Sequence, residues 1–406
     1  MTQKQILKFP EGFLWGAASS AYQTEGGNSN SDWWAWEHSA RRENQLKAKN
    51  LDPTEFQSGL ATDFWNRYDE DFTLAESLGH NSVRVGVEWS RVQPKADMFD
   101  EQALDHYEKI LQSAKFHGLK VFLTLHHYTC PVWFMKKGGF TKKENISDFL
   151  HYARHVARRL SQYTDFWVTI NEPGLYAGQS YYLGVHPPQV KSFRTAWRVT
   201  DNLIRAHNLL AEYLQQHLGQ PVSLAFNLSD LQPYGPLGGL AAGLADYVVN
   251  DYILRRTIAT CDYIGVNYYF HHHIGLFGLR KHSHSQHNRS DRGWGIHPEG
   301  IENLLNNLKG YGKPIYILEN GIADAKDERR ESFIKEHLRH IHTAIQKGAD
   351  VRGYLYWSLT DNFEWEEGFW PRFGLIEIDR GNLLRRKVRY SATKYAEICK
   401  TNTLEY

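Results

Sequence analysis

The sequence predicts an α/β fold, a single (β/α)8 TIM barrel in which residues 1–406 form one domain. Eight short apolar runs, rich in Val, Ile and aromatic residues, recur along the chain, as expected of parallel strands buried on both faces. Longer amphipathic stretches separate the runs, and such alternation is typical of an α/β barrel. A doubly wound sheet is the alternative, but the turn after the first run reads GAASSAYQTEGG and lacks the GxGxxG spacing of a nucleotide-binding turn.

The predicted elements follow one another in regular alternation. The eight predicted strands span residues 13–18, 82–88, 121–125, 166–170, 222–226, 263–268, 314–318 and 353–357. The clearest predicted helices span residues 63–78, 101–117, 145–162, 194–216 and 330–347. In the first helix Phe64, Tyr68 and Phe72 recur at four-residue steps, which places them on one helix face.

The composition is that of a globular protein with almost balanced charge. Lys and Arg number 47 and Asp and Glu number 46, so the net charge is +1 with His neutral. This balance argues against electrostatic binding of nucleic acid or of an acidic membrane surface. Aromatic residues make up 14% of the chain, which is more flat apolar surface than a core of this size obviously needs.

Cysteine use and the N-terminal residues predict a cytoplasmic location. The three cysteines lack any CxxC spacing, so neither a disulfide framework nor a structural zinc site is expected. The sequence starts without the apolar segment of a secretory signal, and no apolar run approaches the ~18 residues that span a bilayer. No metal, cofactor, nucleic-acid or membrane partner is therefore expected, and the oligomeric state is left open.

Polar side chains gather where the predicted strands end. They are Arg84 and Glu88, His126 and His127, Asn171 and Glu172, Asn267 and Tyr269, Glu319 and Asn320, and Trp357. In a (β/α)8 barrel these ends share one rim, where active sites are built. One polar residue at a strand end is most simply a turn cap, but carboxylates, amides, His and Trp at several strand ends together predict an active site.

Two carboxyl groups stand out at this rim. Glu172 follows the fourth predicted strand and Glu319 the seventh, so the two would face each other across the barrel mouth. Two carboxyl groups in an aromatic cleft suit cleavage of a glycosidic bond, because one donates a proton to the leaving oxygen while the other attacks or stabilises the anomeric carbon. Aromatic rings stack on the C–H faces of sugars, and amides and carboxylates bind the hydroxyls.

Several segments, in order, resemble glycoside hydrolase family 1, which is typified by β-glucosidases. FPEGFLWGAASSAYQTEG resembles the N-terminal signature of the family, WVTINEP its acid/base motif and YILENGI its nucleophile motif. GVNYY, YLYWSLTDNFEW and PRFGLIEID resemble its remaining site segments, and the match runs from Phe9 to about Tyr395. SDWWAWEH and VRVGVEWSRVQP are closer to the archaeal-type branch.

The resemblance implies a role for each site residue. Glu172 would be the general acid/base and Glu319 the nucleophile, with the two carboxyl groups roughly 5 Å apart for retention of configuration. The implied substrate-binding residues are Gln23, Glu364 and Trp365 for the far hydroxyls, His127 for the 3-hydroxyl, Asn171 for the 2-hydroxyl, Trp357 as the stacking floor, and Tyr269. Arg84 and Tyr269 would contact Glu319, Asn267 and Phe373 would support the site, and the Trp357–Ser358 bond would be cis.

The activity implied by this resemblance is that of a retaining exo-β-glycosidase. It would remove terminal non-reducing β-linked sugars through a covalent glycosyl-enzyme on Glu319, acting on β-glucosides and also on β-galactosides and β-fucosides. The partners would be small β-glycosides or short oligosaccharides, and a carboxylate at Glu364 disfavours 6-phosphorylated sugars. A sugar-binding barrel without activity would be expected to lack one of the two carboxylates. The sequence leaves the preferred sugar and the aglycone open.

The chain departs from the family pattern at residue 128 and in its length. Tyr128 stands where the family usually has Trp, which changes the wall of the first sugar subsite. The chain is short, and shorter rim segments at 187–194 and 275–295 predict an open entrance.

A histidine cluster comprises His271, His272, His273, His282, His284 and His287. Because its spacing lacks a carboxylate partner, an entrance loop is favoured over a metal site.

Overall fold

A computed structural model describes residues 5–275, 278–280 and 288–406 of the chain. Its barrel strands are β1 (Leu14–Ala18), β2 (Ser82–Gly86), β3 (Lys120–Thr124), β4 (Phe166–Asn171), β5 (Val222–Pro233), β6 (Ile264–Gly275), β7 (Ile315–Asn320) and β8 (Val351–Trp357). All pair in parallel in the order β5-β4-β3-β2-β1-β8-β7-β6, and β5 also pairs with β6, so the sheet closes on itself. The predicted (β/α)8 barrel is confirmed, and every predicted strand is present.

Helices surround the barrel and bury their apolar faces against it. They are α1 (Phe64–Ser77), α2 (Glu101–Phe116), α3 (Ile146–Leu160), α4 (Phe193–His217), α5 (Tyr252–Thr257), α6 (Glu299–Leu308), α7 (Arg330–Gln346) and α8 (Tyr390–Thr401). Capping side chains fix the start of some of these helices. Before α2, the Asp100 carboxylate accepts a hydrogen bond from the Ala103 amide at 3.0 Å. Before α4, the Ser192 hydroxyl accepts one from the Thr195 amide at 3.3 Å. The five predicted helices agree with these bounds to within about two residues.

The inside of the barrel holds a separate apolar cluster. Its buried members are Phe122, Val168, Ala225, Tyr263, Tyr316, Leu318 and Leu355. The neighbours Val121 and Leu123 belong instead to the core shared with the helices, as the two-residue alternation of a strand requires. Two positions after Phe122, the Thr124 hydroxyl accepts a hydrogen bond from Arg84, so polar side chains replace the apolar ones toward the strand ends.

Strands β5 and β6 run beyond the rim of the barrel. They pair from Ala225 with Gly265 to Pro233 with Ile274, whereas the sequence predicts that the strands end at residues 226 and 268. Both predicted strands are therefore too short. Polar and histidine residues interrupt the apolar pattern of these extensions, yet backbone pairing continues, because the two strands satisfy each other's hydrogen bonds outside the barrel.

Shorter elements complete the fold. The short helices are Ala21–Thr24, Asp32–Glu37, Ala40–Lys47, Trp89–Val92, Val132–Lys136, Pro173–Ala177 and Gly238–Asp246, with π-helical turns at Gly178–Leu183 and Tyr247–Asp251. Single 3-10 turns lie at Pro53–Phe56, Gly139–Thr141, Lys143–Asn145, Ser161–Tyr163, Lys309–Tyr311 and Trp365–Glu367. Minor strand pairs join Ile6–Lys8 to Thr403–Glu405, Ile376–Asp379 to Arg385–Val388, and Gly278–Arg280 to the end of β6. Within the described ranges, no helix has both the length and the apolar character needed to cross a membrane.

Candidate active site

The strand ends surround a cavity of about 170 Å³. Of the residues predicted for the site, Gln23, His127, Glu172, Tyr269, Glu319, Trp357, Glu364, Trp365 and Phe373 line it. Asn171, Arg84 and Asn267 lie directly behind this wall and are fully buried. The structure therefore brings all the predicted site residues together at the C-terminal end of the barrel.

Glu172 and Glu319 reach the cavity from different backbone settings. Glu319 is the penultimate residue of β7, whereas Glu172 follows β4 in a left-handed conformation with φ of 44°. This conformation is costly for a residue with a Cβ, and such strain is concentrated at functional sites. Pro173 then begins a short helix, and the Glu172 amide donates to the Ala225 carbonyl of β5 at 2.8 Å, which fixes the turn.

Glu319 is paired with a buried cation. The Arg84 guanidinium lies 2.5 Å from one carboxylate oxygen, and the Tyr269 hydroxyl donates to the other at 2.9 Å. Burial raises the pKa of Glu319 to about 7 and the nearby Glu172 charge adds to this rise, while Arg84 and Tyr269 oppose it. The cation and the hydroxyl therefore favour the ionised form of Glu319 against the effect of its burial.

The hydrogen-bond donors that the described residues offer to Glu172 are all neutral. The side-chain amides of Asn227 and Asn267 donate to one carboxyl oxygen at 3.0 and 2.9 Å, and the Tyr128 hydroxyl donates to the other oxygen. No ion pair to Glu172 is found within the described part of the chain. The two carboxyl groups thus differ in kind: Glu319 has a cation that stabilises its charge, and Glu172 has neutral groups that can serve either of its protonation states.

One hydrogen-bond network joins the two carboxyl groups. Besides contacting Glu319, Arg84 donates to the Asn171 side-chain oxygen at 2.7 Å. Asn267 donates to this same oxygen at 3.2 Å while it also holds Glu172. Because Asn171 accepts from both neighbours, it fixes the position of each carboxyl group relative to the other.

His127 contributes a neutral ring to the cavity wall. Burial lowers the pKa of His127 well below its ordinary value, so the ring is neutral. The Asn171 amide nitrogen lies 3.1 Å from Nε2, which makes Nε2 the acceptor and leaves the proton on Nδ1. Nδ1 is buried and has no hydrogen-bond partner within the described residues. The adjacent His126 is buried, and its Nε2 lies 3.4 Å from the Cys130 sulfur.

The far side of the cavity has its own polar group. Glu364 accepts from Gln23 at 3.3 Å and from Arg292 at 2.9 Å. Burial raises the pKa of Glu364 to about 7, and the charge of Arg292 opposes that rise. The Arg292 side chain also pairs with Glu367 at 2.5 Å and lies over the Trp294 ring at 3.9 Å.

Aromatic rings behind Trp365 account for part of the high aromatic content. The centre of the Trp33 ring lies 4.7 Å from that of Trp365. The Tyr22 ring is parallel to the Trp365 ring, with 6.0 Å between the ring centres. Trp33 is buried, while Trp34 stacks on His38 and Trp36 packs against Arg42. Of these three tryptophans, Trp33 therefore supports the cavity wall directly by packing against Trp365.

Three functional contacts were not predicted from the sequence. Tyr128 and Asn227 bind Glu172, and Arg292 pairs with Glu364. The replacement of Trp by Tyr at residue 128 was the one signal that pointed to any of them. Asn227 lies inside the unpredicted extension of β5, and Arg292 lies in the segment assigned to the entrance.

Three further features are the cysteines, the Trp357–Ser358 peptide bond and the histidine cluster. The three cysteines are free and buried, and burial raises the pKa of the Cys130 thiol well above its ordinary value, which makes this thiol unreactive. The Trp357–Ser358 peptide bond is cis, as the resemblance implied. Of the histidine cluster, His282, His284 and His287 lie outside the described residues. Among the residues that are described, no group of His, Cys, Asp or Glu could hold a metal ion.

The sequence of this chain is similar to a known family and to proteins of established activity. The sequence profile of glycosyl hydrolase family 1 matches residues 5–239 and 245–404. The β-galactosidase of Sulfolobus acidocaldarius is 30% identical and the match covers 98% of this chain and 96% of that protein. Beta-glucosidase A of Thermotoga maritima is 29% identical, with 98% of this chain and 99% of that protein covered.

The fold of this chain is also similar to that of solved β-glycosidase structures. The β-glycosidase of Pyrococcus horikoshii superposes with a TM-score of 0.89 at 36% identity, covering 99% of this chain and 97% of that one. The alignment with the Sulfolobus protein extends over 479 positions, whereas this chain has 406 residues. That relative therefore contains segments that this chain lacks, which agrees with the expectation of a shortened chain.

Proposed function

Because the chain belongs to glycosyl hydrolase family 1 and is a glycoside hydrolase, we propose that it is a retaining exo-β-glycosidase. It removes terminal non-reducing β-linked sugars, with β-glucosides as substrates and β-galactosides and β-fucosides as further ones. One observation carries the proposal. Glu172 and Glu319 line one cavity, and of these two carboxyl groups Glu319 is paired with a cation whereas Glu172 has no ion pair within the described residues.

The first step forms a glycosyl ester on Glu319. A Glu319 oxygen attacks the anomeric carbon, and the bond between that carbon and the aglycone oxygen breaks. The proton of Glu172 moves to the aglycone oxygen, so the aglycone leaves as a neutral alcohol. Arg84 and Tyr269 support this step by stabilising the ionised nucleophile at 2.5 and 2.9 Å.

The second step returns the enzyme to its starting state. A water molecule gives its proton to the Glu172 carboxylate and its oxygen attacks the anomeric carbon, which releases Glu319 and yields the sugar with its original configuration. Asn227, Asn267 and Tyr128 can hydrogen-bond Glu172 in both protonation states, so its position need not change between the two steps.

The rest of the cavity binds the sugar in this proposal. Gln23, Glu364 and Trp365 hold the far hydroxyls, His127 the 3-hydroxyl and Asn171 the 2-hydroxyl, while Trp357 forms the stacking floor. His127 lines the cavity with a neutral ring, which suits a bond to an uncharged hydroxyl. The ion pair of Glu364 with Arg292 and the packing of Trp33 behind Trp365 support a closed end, which suits removal of one terminal sugar. The enzyme acts as one domain of residues 1–406 in the cytoplasm, without a metal or cofactor.

Labelling with an activated 2-fluoro-β-glucoside tests the assignment of the nucleophile. The fluorine slows hydrolysis of the ester, so mass spectrometry of the digested protein should find the sugar on the peptide that holds Glu319. Glu319→Gln should abolish both labelling and turnover. Attachment to any other residue contradicts the proposal.

Azide rescue tests the role of Glu172. Glu172→Gln should be slow on alkyl glucosides but should form the ester from an activated aryl glucoside, whose leaving group needs no proton. Azide should then accelerate turnover and yield the β-glycosyl azide. An unchanged rate with azide, or an α-linked product, would count against a retaining acid/base at this position.

A further inference from the structure

Half of the large apolar side chains that are exposed in the described residues lie in two segments, 182–193 and 234–249. We call the exposed apolar side chains of these two segments the apolar face. Large apolar side chains that are scattered singly are normal on a protein surface, whereas a contiguous patch marks a binding surface. The concentration of these side chains in two short segments therefore indicates that something covers them.

The two segments of the apolar face lie side by side. Tyr182 and Phe193 of the first segment and Val248 and Val249 of the second line one cavity of about 410 Å³. The described lining of this cavity contains no Asp, Glu, Lys or Arg. The apolar face is therefore one continuous surface.

The most prominent part of the apolar face is the helix Gly238–Asp246. Its Leu240 is 77% exposed and its Leu244 is 68% exposed. Because the two leucines are four residues apart, they project from the same side of the helix. Ala242 is buried on the opposite side, so the helix rests on the protein and turns its leucines outward.

This segment of the apolar face is almost free of charge. From residue 233 to residue 249 the one charged residue is Asp246, which accepts a hydrogen bond from the Asn250 amide at 2.6 Å. Residues 240–244 lie between the two stretches that match the family profile, so membership of the family does not account for these exposed leucines.

Exposed cations flank the apolar face. Lys191, Arg194, Arg198 and Arg256 are exposed, and none of them has an ion pair within the described residues. The two ranges that hold the face and its borders, 182–201 and 234–256, contain five Lys and Arg against three Asp. Positive charge therefore exceeds negative charge around the apolar face.

Two of these cations adjoin the apolar side chains directly. The Arg256 guanidinium lies 3.8 Å from the ring centre of Tyr252, and its Nη1 donates to the Tyr247 hydroxyl at 3.5 Å. Arg194 follows the exposed Phe193 in the chain. The positive charges therefore border the apolar face and are not spread over the rest of the molecule.

The acidic residues of the same ranges already have partners. Asp201 accepts a hydrogen bond from the Tyr252 hydroxyl at 2.7 Å, and Asp251 is paired with Arg255 at 2.6 Å. The cations without an ion pair are therefore the groups at this border that are open to a charged partner.

We propose that the apolar face docks onto a membrane surface that contains acidic lipids. An apolar centre surrounded by aromatic rings and cations binds at the boundary between lipid headgroups and acyl chains. Leu240 and Leu244 enter this boundary, and the four unpaired cations attract the lipid phosphates. The near-zero charge of the whole chain argues against such a partner, but it averages over the molecule and does not describe this face.

A second copy of the chain fits the apolar face less well. In a symmetric dimer the same face meets itself. Lys191, Arg194 and Arg198 of one copy would then approach those of the other, and like charges across an interface oppose association. A surface of acidic lipids offers the opposite charge to all of these side chains at once.

Sedimentation with lipid vesicles tests the proposal on the full chain. One set of vesicles contains phosphatidylcholine mixed with phosphatidylglycerol, and the other contains phosphatidylcholine alone. The protein should sediment with the mixed vesicles and several-fold less with phosphatidylcholine alone, and binding to the mixed vesicles should weaken as salt is raised. The measurement does not use hydrolysis, so a negative result leaves the proposed glycosidase activity untouched.

Substitutions separate the apolar contribution from the charged one. Leu240→Asp should lower the partition coefficient for the mixed vesicles by at least about tenfold, because a carboxylate disfavours entry into the acyl boundary. Leu383→Asp makes the same change at a leucine of 91% exposure outside the apolar face and should bind as the wild type does. Arg194→Gln and Arg198→Gln should each lower binding to the mixed vesicles by about fivefold and leave binding to phosphatidylcholine unchanged.

Other outcomes overturn the proposal. No sedimentation with either kind of vesicle would refute it, and so would equal losses of binding in Leu240→Asp and Leu383→Asp. Equal binding to both kinds of vesicle would refute the role of acidic lipids. Dimers that Leu240→Asp dissociates, without vesicle binding, would assign the apolar face to a second copy. Thermal unfolding checks each variant, and the two arginine variants keep the test available if Leu240→Asp fails to fold.

Discussion

Tyr128 donates a hydrogen bond to Glu172, from the position where the family usually has tryptophan. Both residues have left-handed backbones, with φ of 69° at Tyr128 and 44° at Glu172. Tyr128 also lies 5.0 Å from the ring of Trp365, so it connects the acid/base to the wall of the sugar cavity. The hydroxyl of Tyr128 is therefore a hydrogen-bond donor to Glu172 at this position.

We predict that Tyr128→Phe lowers kcat/KM by about tenfold on alkyl glucosides, because loss of one hydrogen bond to a buried carboxyl group costs about 1.5 kcal/mol. The loss should be smaller on nitrophenyl glucosides, whose leaving group needs little protonation. Steady-state kinetics on both substrates measure this difference. Tyr181→Phe is the control, since Tyr181 is buried and its hydroxyl bonds to Tyr176 and, within the described residues, not to Glu172. Equal losses on both substrates would show that Tyr128 has only a packing role.

The fold was largely predictable because buried parallel strands have a distinct composition. Every strand and the two carboxyl groups follow from apolar runs that end in polar residues. The extensions of β5 and β6 were missed, since their pairing depends on each other and not on apolar alternation. Backbone conformations such as those of Tyr128 and Glu172, which bring the two side chains into contact, leave no pattern in a single sequence.

The role of Arg292 could not be predicted for a different reason. Arg292 approaches Glu364 across 72 positions of sequence, from a segment without periodicity. Val248 and Val249 likewise look like core residues by composition, yet packing leaves them 46% and 45% exposed. Contacts between distant segments therefore determine the surroundings of a site whose chemical groups the sequence already identifies.

The pH dependence of the enzyme should reflect Glu319. Burial raises the pKa of Glu319 to about 7, and the nucleophile must be ionised, so kcat/KM should fall as the pH drops through neutrality. Arg84 and Tyr269 oppose that rise in pKa. Arg84→Met and Tyr269→Phe should therefore each move the acid limb to higher pH, and Arg84→Lys should move it less because the charge is kept.

The shift of the acid limb separates an electrostatic role from a structural one. Rate profiles of kcat/KM against pH are compared for the three variants, with thermal unfolding as the control for folding. A loss of rate that is the same at every pH would contradict the electrostatic role of Arg84. The Tyr269→Phe variant keeps this test available if the buried Arg84 cannot be replaced without unfolding.

Arg292 should control the binding of the sugar through Glu364. Burial raises the pKa of Glu364 to about 7 and the Arg292 charge opposes this, so Arg292→Met should leave Glu364 protonated at neutral pH. A protonated carboxyl group is a weaker acceptor for sugar hydroxyls, and we expect KM for β-glucosides to rise by about tenfold. The rise should shrink at alkaline pH, where Glu364 ionises without help. Arg289→Met, in the same segment but outside the cavity lining, is the comparison variant, and an equal rise in KM at all pH values would exclude this role for Arg292.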